Sequence, residues 1–159
     1  MDIKIIEKSK ISVIGKMGQG ASDSNSSWIQ ELWDEANSSF NEISNLAKTD
    51  KNGNIVGFWG VMTDIDELFL PWNWQGKYLA GCEVIDGATA PNGWYKLVIP
   101  AFKYVAVKCQ KDKYQDVFEY ITQDYLPKHK YNMVGAMQEF YDMNDKQDEI
   151  NLLFPIEYI

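Results

Sequence analysis

Apolar and polar side chains alternate with a period of two over residues 131–142, as they do in a half-buried β-strand. One face of such a strand would carry six residues, namely Tyr131, Met133, Gly135, Met137, Glu139 and Tyr141. That face is apolar except for a single carboxylate. An isolated buried charge is costly, so Glu139 must be solvated in a pocket, paired with a cation or kept protonated. The pattern therefore marks Glu139 as a candidate ligand contact.

Similar patterns predict the remaining elements. Strands are expected over 2–17 with a kink or bulge near the middle, over 55–62, 78–85 and 150–159, and over 131–142 with a partly exposed second face. Residues 94–110 are expected to be extended and interrupted by Pro100. Apolar residues at spacings of three and four predict amphipathic helices over 28–47 and 111–126, the second stopped by Pro127. Turn-forming residues predict loops over 18–27, 48–54, 63–76 and 86–93.

The order of these elements repeats along the chain. Each half, roughly 1–88 and 93–159, reads strand, helix, strand, strand. With 159 residues, of which 45% are apolar, the chain is long enough for one well-cored domain. We therefore expect a single α+β domain: a duplicated βαββ unit with pseudo-two-fold symmetry, an antiparallel sheet and two main helices. A ligand cleft would lie between the halves.

The charge of the chain restricts its partners. There are 23 acidic and 15 basic residues, for a formal net charge of −8. Such a chain repels a polyanion, which argues against direct nucleic-acid binding. No stretch approaches the roughly 20 apolar residues of a membrane span, and the charged N-terminal segment does not resemble a signal peptide. We expect a cytoplasmic protein without a membrane contact.

Motifs for metal or cofactor chemistry are missing from the sequence. Cys82 and Cys109 form no CxxC pair and are expected to be reduced, buried residues. His129 is the single histidine, and it is expected at the surface after the second helix. The acidic run 64–67 lacks the Gly and the closing Glu of a calcium loop, so it is interpreted as a solvated turn. We expect no cofactor and no metal.

Aromatic residues make up 14% of the chain, and several crowd between Phe58 and Tyr104. They either fill the core or line a cavity in which ring faces and a carboxylate attract a cation. The predicted loop 63–76 combines acidic residues with Leu, Phe and Trp, so it either walls a pocket or packs on the core. A further hypothesis is that its segment 69–72 docks on another chain.

Five short motifs occur in order: Tyr78 to Val84, Gly93 to Ala106, Tyr125-Leu126-Pro127, Glu139-Phe140-Tyr141 and Leu153 to Ile156. With this ordered set the chain resembles the GyrI-like small-molecule-binding domain, which is also the effector-binding domain of AraC- and MerR-type regulators such as Rob and BmrR. The resemblance spans nearly the whole chain. It implies a duplicated βαββ fold, a pocket between the halves, and a pocket Glu that selects hydrophobic cations.

The Glu-x-Tyr motif maps the pocket Glu of this family onto Glu139. The ligand-binding candidates implied by the motifs and by strand position are Glu139, Tyr141, Phe154, Trp59, Trp74, Trp94 and Tyr104. Because the first predicted strand begins at residue 2, the chain resembles stand-alone members without a fused DNA-binding region. Such members sequester a toxic cation, act with a separate regulator or as a homo-oligomer, or in some subgroups hydrolyse reactive ligands. In that hydrolase alternative, Glu139 is the general base, and Tyr141 or a nearby Trp positions the substrate.

Overall fold

The computed structural model describes residues 2–22 and 27–159. The first half contains five main elements: β1 (Asp2–Lys8), β2 (Ile11–Ala21), α1 (Ser27–Ser39), β3 (Phe58–Thr63) and β4 (Gln75–Glu83). The second half contains six: β5 (Tyr95–Ile99), β6 (Phe102–Gln110), α2 (Tyr114–Tyr120), β7 (Tyr131–Met133), β8 (Gln138–Tyr141) and β9 (Glu149–Tyr158). Short helical turns flank the two helices: Phe40–Glu42 and Lys111–Lys113 are 3-10 turns, Ile121–Tyr125 is π-helical, and Leu126–Lys128 is α-helical.

The strands pair into one antiparallel sheet with the order β1-β6-β9-β8-β3-β4-β2-β5, and β7 adds to β9. If β1 is exchanged with β5, β6 with β2, β9 with β4 and β8 with β3, the result is the same strand order read from the other end. The pseudo-two-fold axis therefore passes between β3 and β8, which form the central pair. This symmetry confirms the predicted duplicated α+β architecture.

Two short connections curl the sheet. Ser9 and Lys10 join β1, at one end of the order, to β2 near the other end, and Pro100 and Ala101 join β5 to β6 in the same way. Three Cα steps reach at most about 11 Å, so the two ends of the sheet lie close together. The curled sheet consequently has an enclosed inner face and an outer face.

The two faces have separate cores. Trp59, Val61, Leu79 and Tyr104 pack with other apolar residues on the inner face, which the sheet itself encloses. On the outer face, α1 packs on β2 and β4, and α2 packs on β6. Successive side chains of a strand alternate between these faces, so the register of each strand decides which residues lie beneath the helices.

Tyr104 is fully buried in the inner core, and its hydroxyl has no hydrogen-bond partner in the part of the chain that the structure describes. A buried hydroxyl without a partner costs about 1–3 kcal/mol. We expect Tyr104→Phe to raise the free energy of unfolding by about 1 kcal/mol in urea titrations. The control Tyr78→Phe removes a hydroxyl that is hydrogen-bonded and is expected to lower the free energy of unfolding. A destabilised Tyr104→Phe variant would contradict the prediction.

The predicted strand 2–17 was wrong, because the segment forms two strands. Ser9 and Lys10 separate β1, which pairs with β6, from β2, which pairs with β4 and β5. The predicted loop 18–27 was also partly wrong, because β2 continues to Ala21 in register with β4. Residues 23–26 of that predicted loop lie outside the described residues.

The first helix is shorter than the predicted range 28–47. It ends at Ser39, the last residue of an Asn-Ser-Ser run. In this run the Ser38 hydroxyl donates to the Glu35 carbonyl at 2.8 Å. Such local hydrogen bonds compete with helix continuation. The apolar spacing beyond Ser39 still marks buried positions, since Ile43 and Ala47 lie in the core.

The stretch 131–142 is not one strand. β7 and β8 are separated at 134–137, where the Ala136 amide donates to the Phe69 carbonyl at 2.8 Å. The loop before β4 therefore hydrogen-bonds to the segment that separates β7 from β8. Ala136 and Gln138 are buried, which corrects the predicted partial exposure of this face.

Most other predictions agree with the structure. The strand pair broken at Pro100, the helical stretch near 111–126 and the last strand are present, and His129 is exposed. The predicted helix stop at Pro127 was wrong, because the helical backbone continues through Pro127 to Lys128. Both cysteines are free thiols, and Cys82 is buried as predicted, whereas Cys109 is only half-buried. Across the described ranges, none of the helices is long and apolar enough to cross a membrane.

Candidate functional site

Glu139 lies on the outer face of the sheet, at the centre of the molecule. In β8 it pairs with Gly60 of β3 on one side and with Leu152 of β9 on the other. Only 8% of the residue is exposed. Because the β3–β8 pair contains the pseudo-two-fold axis, the carboxylate lies at the floor of the cleft between the two helices.

Tyrosine hydroxyls from three elements surround this carboxylate. Tyr78 of β4 donates to Oε1, and Tyr114 of α2 donates to Oε2 at 2.5 Å. The Tyr141 hydroxyl lies 3.5 Å from Oε1. From α1, the Trp33 indole Nε1 donates to the Tyr78 hydroxyl at 2.9 Å. Both helices are thus connected to Glu139, one directly and the other through Tyr78.

Gly60 provides the space for this cluster, and Gln138 holds the two central strands together. A Cβ at Gly60 would overlap the Tyr78 hydroxyl and the Glu139 carboxylate, so the absence of a side chain lets both groups lie over β3. Gln138 has its side chain hydrogen-bonded to both the amide (2.7 Å) and the carbonyl (2.9 Å) of Met62. The Gln138 side-chain amide thus takes the place of backbone hydrogen bonds where β8 begins, and it holds β8 in register with β3.

Burial raises the pKa of Glu139, while the hydroxyls of Tyr114, Tyr78 and Tyr141 and the charge of Lys111 oppose the rise. Burial also raises the pKa of all three tyrosines, with the Glu139 charge adding to the effect. The tyrosines therefore remain neutral hydrogen-bond donors. The carboxylate accepts hydrogen bonds from neutral tyrosines on both of its oxygens.

Two cavities flank the cluster along the central strand pair. Phe58 pairs with Tyr141, and Gly60 pairs with Glu139, so one cavity lies on the Phe58 side and the other on the Met62 side. The larger, about 350 Å³, is lined by Gln30, Trp33, Asn37, Phe58, Lys111 and Tyr141. The smaller, about 270 Å³, is mostly apolar, and its lining includes Met62, Trp72, Tyr114, Phe118, Met133 and Met137. Tyr141 separates Glu139 from the first cavity and Tyr114 separates it from the second.

A family model described as Cass2, integron-associated effector binding protein, matches residues 4–156. The chain belongs to this family. The membership confirms the effector-binding, GyrI-like domain that the sequence motifs predicted. No curated protein matches the chain.

Solved structures share the fold of this effector binding protein at low sequence identity. SAV2435 bound to tetraphenylphosphonium has a TM-score of 0.71 and 14% identity, over 99% of this chain and 94% of that one. The EcmrR C-terminal domain has a TM-score of 0.69 and 18% identity, over 99% and 98%. An integron cassette protein from the mobile metagenome of Vibrio cholerae has a TM-score of 0.54 and 13% identity, over 98% and 95%. These likenesses show that the chain shares the fold of these proteins.

In this effector binding protein, the structure brings two of the predicted site residues together, Glu139 and Tyr141. Trp59 and Tyr104 lie on the inner face of the sheet, because Gly60 rather than Trp59 is the partner of Glu139. The Trp59 indole donates instead to Glu83 at 3.0 Å.

The other three predicted site residues also lie away from the tyrosine cluster. Trp94 packs against Phe40 and donates to Glu42 at 2.9 Å. Phe154 shares the outer face with Glu139 but is fully buried beneath α2, against Phe118. Trp74 is 74% exposed.

The sequence analysis did not identify Tyr78, Tyr114, Trp33 and Gly60 as members of this candidate site. Tyr114 and Trp33 do lie on the apolar faces of the two predicted helices, and Gly60 interrupts a predicted strand. These signals place the residues on a face, but only the pairing of β3 with β8 and β4 shows that they meet at Glu139.

The loop between β3 and β4 serves both roles considered for it. Phe69 is buried in the inner core, whereas Pro71 and Trp72 line the smaller cavity. The acidic turn 64–67 lies at the surface, exposed or half-buried, and two of its carboxylates also accept hydrogen bonds. Asp64 accepts from the amides of Leu68 and Leu70, and Glu67 accepts from Lys77 and Tyr95.

Proposed function

We propose that this effector binding protein binds a lipophilic cation in the cleft between α1 and α2, with Glu139 as the counter-charge. The observation that carries the proposal is a buried carboxylate whose hydrogen-bond partners are neutral tyrosines. None of the ion pairs within residues 2–22 and 27–159 includes Glu139. A buried charge without a cation is costly, and a cationic ligand removes that cost.

The surroundings of Glu139 suit the rest of such a ligand. Met62, Met133 and Met137 give the smaller cavity flexible, polarizable walls that adapt to apolar groups of different shape. The rings of Tyr114 and Tyr141 lie between the carboxylate and the cavities, and ring faces attract cations by about 0.5–2 kcal/mol. The ligand reaches Glu139 when one of these rings swings aside. SAV2435, which shares the fold, was solved with a lipophilic cation bound.

Tetraphenylphosphonium and tetraphenylborate have the same shape and opposite charge, so together they test the proposal. Binding is followed by quenching of Trp fluorescence, because Trp33 and Trp72 line the two cavities. We expect the wild type to bind the phosphonium and to reject the borate. Glu139→Gln is expected to weaken phosphonium binding by about 10- to 100-fold, because the coulombic attraction between the carboxylate and the phosphonium is lost.

Glu83→Gln is the matched control. It removes a carboxylate of the same chemistry that contacts Trp59 and Lys48, away from the tyrosine cluster. Phosphonium affinity is expected to stay within about twofold of wild type in this variant. Equal losses in the two variants, or borate binding as tight as phosphonium binding, would show that Glu139 does not select the ligand charge.

A separate regulator and a homo-oligomeric state are further predictions for this chain. The cytoplasmic location and the single domain over 1–159 also remain predictions, and none of them is needed for the proposed binding.

A further inference from the structure

Lys111 places a positive charge at the wall of the candidate site. It begins the 3-10 turn that leads into α2, and its backbone amide donates to the Asp148 carbonyl at 2.8 Å. The side chain lines the larger cavity, and its ammonium lies 5.3 Å from the centre of the Tyr141 ring. This is the distance of a cation–π contact, on a ring whose hydroxyl faces Glu139.

Among residues 2–22 and 27–159, no acidic side chain forms an ion pair with this ammonium. In the part of the chain that the structure describes, the ion pairs do not include Lys111. Lys111 is exposed, so its flexible side chain can leave the cavity for solvent without breaking any of these ion pairs. The ammonium therefore lies against the ring face that would attract a cationic ligand.

We propose that Lys111 is an internal competitor of the ligand cation. Its ammonium occupies the cation position over Tyr141 when the cleft holds no ligand, and it moves to solvent when a ligand cation enters. This inference rests on the proposed function, because it assumes that cations bind at this cleft. Two cations near one ring and one carboxylate repel each other, so the native lysine lowers the affinity of the site for singly charged ligands.

The test compares Lys111→Gln with Lys113→Gln, using tetraphenylphosphonium as the probe and the full chain. Lys113 belongs to the same turn and is exposed, but it is not among the described residues that line the larger cavity. We expect Lys111→Gln to bind the phosphonium about three- to tenfold more tightly than wild type, the range for one partly screened charge. Lys113→Gln is expected to match the wild type.

The pH dependence of binding separates a charge effect from a steric one. The titratable groups that face Glu139 are Tyr78 (β4), Tyr114 (α2), Tyr141 (β8) and Lys111 (the 3-10 turn). Its strand partners Gly60 (β3) and Leu152 (β9) have no titratable side chain, and α1 contributes the neutral Trp33 indole through Tyr78. The charge of Lys111 lowers the pKa of Glu139, so its removal raises that pKa. As the pH falls, phosphonium binding is expected to weaken at a higher pH in Lys111→Gln than in wild type.

The inference requires both the tighter phosphonium binding of Lys111→Gln and the shift of its pH profile. Unchanged or weaker phosphonium binding in Lys111→Gln would overturn the inference, and so would tighter binding with the pH profile of wild type, which would indicate only a wider cavity. Glu139→Gln distinguishes this failure from that of the proposed function. If Glu139→Gln loses phosphonium binding while Lys111→Gln gains none, the cation site stands and Lys111 is not its competitor.

Discussion

Gly60→Ala is expected to lower the free energy of unfolding by about 2–3 kcal/mol and to abolish phosphonium binding. A Cβ at this position would overlap the Tyr78 hydroxyl and the Glu139 carboxylate, both of which are buried. Neither group can move away without leaving a buried polar atom unpaired. Urea-induced unfolding measures the loss of stability, and phosphonium titration measures the loss of binding.

A double variant shows whether the overlap is the cause. Tyr78→Phe removes the hydroxyl that the new Cβ would meet first. We expect Gly60→Ala with Tyr78→Phe to be more stable than the sum of the single effects predicts, because the two changes act on one contact. A Gly60→Ala variant as stable as wild type would mean that Glu139 does not lie against β3, and the described site would be wrong.

The sequence pattern predicted the pair at the centre of the site. Glu139 and Tyr141 share a face in any strand that contains both, and β8 spans both. The break at 134–137 therefore did not affect their relation, although it separated Tyr131 and Met133 from them. An alternation argument is reliable over a few residues within one strand and fails where a tertiary contact interrupts the ladder.

The rest of the site depends on register, which periodicity does not contain. Trp59 and Gly60 are neighbours in one strand, and the pairing of Gly60 with Glu139 sends the Trp59 ring to the opposite face. Tyr78 reaches the carboxylate only because β4 pairs with β3, and Tyr114 only because α2 packs over the second half. A shift of one residue in any of these pairings would exchange the two faces.

Duplication explains why the site is at the centre and why it is asymmetric. The pseudo-two-fold axis passes between β3 and β8, so Gly60 and Glu139 face each other from corresponding strands of the two halves. One half supplies the carboxylate, and the other supplies the space for it. Two copies of Glu139 at this position would place like charges side by side in a buried site, which the fold could not tolerate without protonation.

We expect the carboxylate to make the wild type less stable than Glu139→Gln at neutral pH. Burial raises the pKa of Glu139 above its ordinary value of 4.5. Between 4.5 and the raised pKa, the folded chain holds a proton that the unfolded chain has lost, so stability falls as the pH rises through this window. Each unit of pKa difference corresponds to about 1.4 kcal/mol. Glutamine keeps the shape of the side chain and cannot ionise, so its stability lacks this dependence.

Urea titrations of both proteins from pH 4.5 to 8 measure the difference directly. The excess free energy of unfolding of Glu139→Gln over wild type is expected to grow as the pH rises. Saturating phosphonium is expected to remove this difference by stabilising the wild type, because the ligand supplies the missing cation. Glu119→Gln, on the exposed surface of α2, is the control and is expected to stay within about 0.5 kcal/mol of wild type. A gap that widens in favour of the wild type would show that the tyrosine hydroxyls more than offset the burial of the charge. The carboxylate would then have no need of a cationic ligand.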